Sequence, residues 1–121
     1  MKIYYAHSIS SYDTAQEEFD IAQIKNSFNG DVVNPKTIQS KNMSDYYREI
    51  KKCDAIVFRG NTFGIISEVI FSMLTGKKII DAELMQGISR RTIFEFLNRF
   101  YKDRYYLDDI KQISDVILEQ K

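Results

Sequence analysis

The chain has 121 residues, of which 44% are hydrophobic and 28% charged; this is the composition of one globular domain with a single core, and it excludes a disordered chain. Seventeen basic and seventeen acidic residues cancel, which removes the electrostatic case for binding a nucleic-acid polymer or a membrane surface. Ser67 and Glu68 interrupt the longest apolar run, so no transmembrane segment is expected, and the few apolar residues after Met1 make no signal peptide.

KIYYA (Lys2 to Ala6) is short, aromatic and apolar, and reads as a central first strand. HSISSYD follows as a polar loop, with Asp13 or Thr14 as a candidate helix cap. From Thr14 to Phe28, the positions Ala15, Phe19, Ala22 and Phe28, with Ile21 and Ile24 alongside, predict one buried helical face, and Asn29 and Gly30 end the helix. DVVNP (Asp31 to Pro35) predicts a second short strand, closed by the only proline. A second helix is expected over Asn42–Lys52 with Ser44 as its cap, followed by a third strand at DAIVF (Asp54 to Phe58).

Cys53, just before that strand, is the only cysteine, so no internal disulfide can form; its place predicts a small core residue. No cysteine–histidine cluster exists to hold zinc, and a reducing, cytoplasmic setting is expected. Next come a glycine-bearing loop, an apolar helix ending near Gly76, and a fourth strand at KKIID (Lys77 to Asp81). Beyond Asp81 the pattern changes. Phe94, Phe96, Phe100, Tyr101, Tyr105 and Tyr106 crowd one stretch, and LDDIKQISDVILEQK is an amphipathic terminal helix (Ile110, Ile113, Val116, Ile117). Either could complete an outer layer or form a homodimer or larger homo-oligomer.

Four strands joined by helical crossovers predict a parallel sheet wound in the right-handed sense. The expected architecture is α/β: a single domain over residues 1–121, built as a small three-layer sandwich. Its flavodoxin-like sheet has order 2-1-3-4, is open to a fifth strand, and carries helices on both faces. Such sheets bind ligands at the carboxyl ends of their strands. There the chain delivers Tyr4, His7 and Ser8 from strand one, Asn34 from strand two, Arg59, Gly60, Asn61 and Gly64 after strand three, and Asp81 from strand four. Ser67 and Glu68 join them from the third helix, where an otherwise apolar surface has no packing use for a charge; the alternative is a solvated acid that complements the helix dipole. Amides at Gly60 and Gly64 suit an anion or a hydroxyl-rich ring. The loop is not a Walker A loop, because no Gly-Lys-Ser/Thr follows, and the first strand leads into HSISSYD rather than a dinucleotide fingerprint.

The order IYYAHS, VVNP, YREIKKCDAIV, a glycine followed by Ser67 and Glu68, and GKKII resembles the nucleoside 2-deoxyribosyltransferase superfamily, over Met1 to about Asp81. The nearest pattern is a compact phage and bacterial branch of largely unassigned activity. The resemblance implies that Glu68 attacks the anomeric carbon of a nucleoside and that Tyr4 orients that carboxylate. A carboxylate so placed can stabilise and trap an oxocarbenium-like sugar, while a second acid protonates the leaving base.

The chain departs from that pattern in two places. No acid lies between strand three and Glu68, and the aspartate of the preceding helix has only Asp45 as an approximate counterpart, one position out of register. Arg59 in the short loop favours a phosphate, so a nucleoside 5′-monophosphate N-glycosidase, a relative within the same superfamily, fits better than a base-exchanging transferase on free nucleosides. The expectation is therefore cleavage or transfer of an N-glycosidic bond on a nucleoside or nucleoside 5′-monophosphate, with Glu68 and Tyr4 catalytic and no metal or cofactor required. The alternatives are a non-catalytic nucleotide-binding protein using the same crevice, and a structural protein that assembles through its aromatic C-terminal third.

Overall fold

Alternation along β1 (Lys2–Ala6) divides the core in two: Ile3 and Tyr5 face one side of the sheet, Tyr4 and Ala6 the other, and all four are fully buried. In a computed structural model, residues 1–38, 42–60, 62–89, 91–93, 95, 98 and 107–119 are described. β1 pairs in parallel with β2 (Asp31–Val33) and with β3 (Ala55–Phe58), and β3 pairs in parallel with β4 (Lys78–Asp81). A two-residue β5 (Gln86–Gly87) adds antiparallel to β4, giving the order β2-β1-β3-β4-β5. This is a flavodoxin-like three-layer α/β sandwich, and its fifth strand follows a tight turn that Met85 makes with φ of 53°.

One face of the sheet is covered by α1 (Ala15–Phe28), whose Ile24 packs with Ile3, Tyr5, Ala55, Val57 and Ile80. The other carries α2 (Met43–Lys51), α3 (Phe63–Leu74) and α4 (Leu107–Leu118) around Tyr4, Ile56, Phe58 and Ile79. Ile113 and Val116 bury the inner face of α4, and Lys51 donates to the carbonyl of Val116 at 2.8 Å. The terminal helix thus completes this layer. α3 is apolar because it is enclosed: Ile65, Ile66, Val69, Phe71 and Met73 are all buried.

Local signals set the ends of these elements. Thr14 caps α1 by accepting from the Glu17 amide at 3.2 Å, and Gly76 follows α3 at φ of 75°, which glycine adopts without strain. The cap of α2 is Asn42, which accepts from the Ser44 amide at 3.0 Å, rather than Ser44 itself. β2 stops at Val33, because Asn34 and Pro35 begin a 3-10 turn (Pro35–Thr37), and β4 starts one residue late, at Lys78. The inner face of α1 also differs from its periodicity. Ala15, Phe19 and Ala22 are exposed, whereas Glu17, Asp20 and Ile24 are buried. The N-terminal half of α1 lies over the polar carboxyl ends of β1 and β3, so acids pack there better than phenylalanine.

Candidate functional site

A cavity of about 340 Å³ opens at the carboxyl edge of the sheet, within the range of small-molecule sites. Each wall comes from a different element. β1 and its following loop supply His7, Ser8, Ile9 and Tyr12; Pro35 follows β2; α2 gives Met43 and Tyr46; the start of α3 gives Thr62, Gly64, Ile65 and Glu68. Gly64 borders open space, where a Cβ would meet nothing within 4 Å.

Glu68 forms the floor. It is 6% exposed, and Tyr4, fully buried beneath it, donates its hydroxyl to Glu68 Oε2. The pairing is dictated by register: Tyr4 is central in β1, flanked by Val33 and Ile56, and its side chain points toward α3. Burial lifts the Glu68 carboxyl up to about 8, and the Tyr4 hydrogen bond only partly opposes this. Burial, and next the Glu68 charge, raise the Tyr4 hydroxyl far above its ordinary value, so it remains a phenol that donates.

His7 lines the cavity with both ring nitrogens facing acceptors. Nδ1 lies 3.0 Å from the Tyr5 carbonyl, and Nε2 lies 2.7 Å from Glu17 Oε2. Its ring stacks on Tyr5 with centroids 4.0 Å apart and meets Tyr12 at 5.0 Å. Glu17 in turn accepts from the Asp13 amide at 3.1 Å. Burial would raise the Glu17 carboxyl, but hydrogen bonds from His7, the Asp13 backbone and Asn34 outweigh it and hold the group below its ordinary value.

The expected site residues separate into groups. Glu68, His7, Ser8 and Gly64 line the cavity, and Tyr4 supports it from below. Asn34 does not line the cavity; it caps the turn after β2, accepting from the Lys36 amide at 3.0 Å, and also bonds Glu17. Ser67 is turned back to its own helix, donating to the Gly64 carbonyl at 2.8 Å. Gly60 makes the β3–α3 turn at φ of 94° without lining the cavity, and Asn61 lies outside the described residues.

Two expected contacts lie elsewhere. Arg59 is drawn to the α1 face, where Nε reaches Asp20 Oδ2 at 2.5 Å and a terminal nitrogen reaches Oδ1 at 3.1 Å; Tyr5 donates to the same carboxylate. Asp81 lines a separate space of about 320 Å³ with Phe58, Val69, Leu84 and Ile93, and accepts from the Glu83 amide at 2.8 Å. Both assignments followed from position at a strand end, which does not fix the direction of a side chain.

Asp45, the approximate counterpart on α2, meets Arg48 at 2.7 Å, and it is the next residue, Tyr46, that lines the cavity. Tyr12, Tyr46, Met43 and Ile9 had no motif to mark them; the helical spacing of Met43 and Tyr46 was their only signal. Cys53 is buried, donates to the Glu49 carbonyl at 3.3 Å, and has its thiol pushed up to about 11 by burial, as befits a core residue. The aromatic residues 94, 96, 100, 101, 105 and 106 lie outside the described residues, as does Arg90, whereas Arg91 is exposed and faces Glu95. Among the described residues no three His, Cys, Asp or Glu side chains gather to hold a metal ion, and no helix is long and apolar enough to cross a membrane.

A crystal structure of a conserved protein from Enterococcus faecalis V583 superposes with a TM-score of 0.54 over 94% of this chain and 86% of that one. At 17% identity the likeness establishes the shared fold alone. No family model matches the chain, and no curated protein matches it.

Proposed function

We propose that this protein cleaves or transfers the N-glycosidic bond of a nucleoside, with Glu68 as nucleophile and Tyr4 as the group that orients it. The observation that carries this reading is the hydroxyl of Tyr4 bonded to the buried Glu68 carboxyl at the floor of a nucleoside-sized cavity. It agrees with the roles implied by the resemblance to the nucleoside 2-deoxyribosyltransferase superfamily. Attack of one Glu68 oxygen on the anomeric carbon displaces the base and leaves a glycosyl ester, which water or a second base then resolves. Tyr4 holds the other oxygen, so the attacking lone pair is aimed rather than free to rotate. Ile9, Tyr12, Pro35, Met43 and Ile65 supply an apolar wall for a base and sugar. With Arg59 held by Asp20 away from the cavity, the free nucleoside fits this reading better than its 5′-monophosphate.

A second reading is a nucleoside-binding protein without turnover. The rise of the Glu68 carboxyl to about 8 favours it, because a neutral acid donates and accepts hydrogen bonds but attacks poorly. Chromatography of free base released from ribo- and deoxyribonucleosides and their monophosphates, with Glu68→Gln alongside, separates the two. Glu68-dependent release supports the enzyme. No release, together with a specific thermal shift from one nucleoside, supports the binding protein.

A further inference from the structure

We propose that Tyr46 is the proton donor to the leaving base. This rests on the glycosidase reading above and fills the role for which the described residues lining the cavity offer no second carboxyl group.

The other groups around the cavity are committed. Tyr4 donates to Glu68, and Glu68 is the nucleophile. His7 has one nitrogen on the Tyr5 carbonyl and the other on Glu17, so neither ring nitrogen is free for a ligand. Asp45 points to Arg48. Ser8 bonds Ser10 and Ser11, and Thr62 caps α3. Among the described lining residues, two phenols remain. Tyr12 packs over His7, and burial, followed by its neighbours Tyr46, Glu68 and Glu17, pushes its hydroxyl up to about 12, which makes it a poor acid. Tyr46 extends from α2 into the cavity, and its hydroxyl makes no hydrogen bond to another described residue. It lines the same cavity whose floor is Glu68.

The step balances without a co-reactant. As a Glu68 oxygen bonds to the anomeric carbon, the carbon–nitrogen bond breaks and its electron pair passes to the base. That nitrogen takes the Tyr46 proton, leaving a glycosyl ester and a phenolate. Water then attacks the anomeric carbon, its proton returns to the phenolate, and the ester oxygen leaves as the Glu68 carboxylate.

The test compares Tyr46→Phe with the parent protein on two substrates: a deoxynucleoside, and nitrophenyl deoxyriboside, whose leaving group departs without a proton. Base release from the nucleoside is expected to fall by about 10²-fold or more. The nitrophenyl substrate should still give a rapid burst of one turnover, then stall while the ester awaits a base for water. An equal loss on both substrates, or no loss on either, overturns the assignment. Heavy water supplies a measurement independent of how the variant folds: in the parent protein it should slow nucleoside cleavage but leave the nitrophenol burst unchanged, and equal slowing of both overturns the proposal. If the parent protein releases neither base nor nitrophenol, the glycosidase reading itself falls and takes the proposal with it.

Discussion

Glu17 on α1 and Glu68 on α3 are both nearly fully buried at the same edge of the sheet, yet their carboxyl groups move in opposite directions. Glu68 has a single hydroxyl partner, so desolvation dominates and the proton is held. Glu17 receives donors from His7, the Asp13 amide and Asn34, and these outweigh its own desolvation. The donors around each carboxyl, together with how far it is desolvated, decide which acid is charged. The difference also divides their work. Glu17 ties the ends of β1 and β2 to the loop that carries Tyr12, and thereby builds the wall, whereas Glu68 lies at the floor with Tyr4 as its hydrogen-bond partner.

The largest effect that would test this division is on Glu68. Glu68→Gln keeps the Tyr4 bond and removes the proposed nucleophile, so base release should fall by at least about 10³-fold while any ligand-induced thermal shift persists. Retained turnover would remove Glu68 from the mechanism. Because only the carboxylate attacks, the parent protein's glycosylation rate should rise with pH through about 8.

Stability should show the opposite trend for this group. The unfolded carboxyl ionises near 4.5 and the folded one near 8, so the folded chain holds the proton more tightly. Its contribution is complete below pH 4.5, declines across the window up to about 8 at no more than ~1.4 kcal/mol per pH unit, and is flat above. Glu68→Gln should therefore be more stable than the parent protein at pH 9, as chemical denaturation would register.

Tyr4→Phe should have the next largest effect. It removes the one bond that lowers the Glu68 carboxyl, so the midpoint of the pH–rate profile should move above about 8, with a fall in rate of roughly 10- to 10²-fold. An unshifted midpoint would mean that Tyr4 packs without tuning the acid.

Glu17→Gln probes the other half of the comparison. Replacing the acceptor of three donors should cost about 1–3 kcal/mol. In the parent protein the stability due to Glu17 is present above its unfolded value of 4.5 and is lost as pH falls through its lowered folded value, so the variant should show a flatter acid limb in urea titrations.

Arg59→Ala should have the mildest functional effect. Asp20 would lose its cation but keep Tyr5 and Gln16, and the Arg59 side chain is 26% exposed, so about 1–2 kcal/mol of stability is at stake. Discrimination between a nucleoside and its monophosphate should not change; a selective loss of monophosphate binding would return Arg59 to the cavity.

Much of the sheet was legible from short apolar runs at Lys2–Ala6, Ala55–Phe58 and Lys78–Asp81, because buried parallel strands leave a continuous hydrophobic signature. α1 was harder to read. Its Phe19 is 57% exposed and its inner face carries acids, so hydrophobic periodicity indicated the helix but misplaced its face. The direction of Arg59 was illegible for a related reason: its partner Asp20 lies 39 residues earlier, and nothing local records that pairing.

By itself the sequence determined the strand order, through crossover length and handedness, and singled out Glu68 as an acid that its apolar helix could not use for packing. Tertiary structure alone decided which polar groups meet. It aligned Tyr4 under Glu68 through sheet register, turned Tyr46 rather than Asp45 into the cavity, and gave Arg59 to Asp20. The physical reason is that hydrophobic pattern is a local, periodic property of the chain. Hydrogen-bond partners and the desolvation that sets a charge depend on groups far apart in sequence, and exist only once the layers have closed.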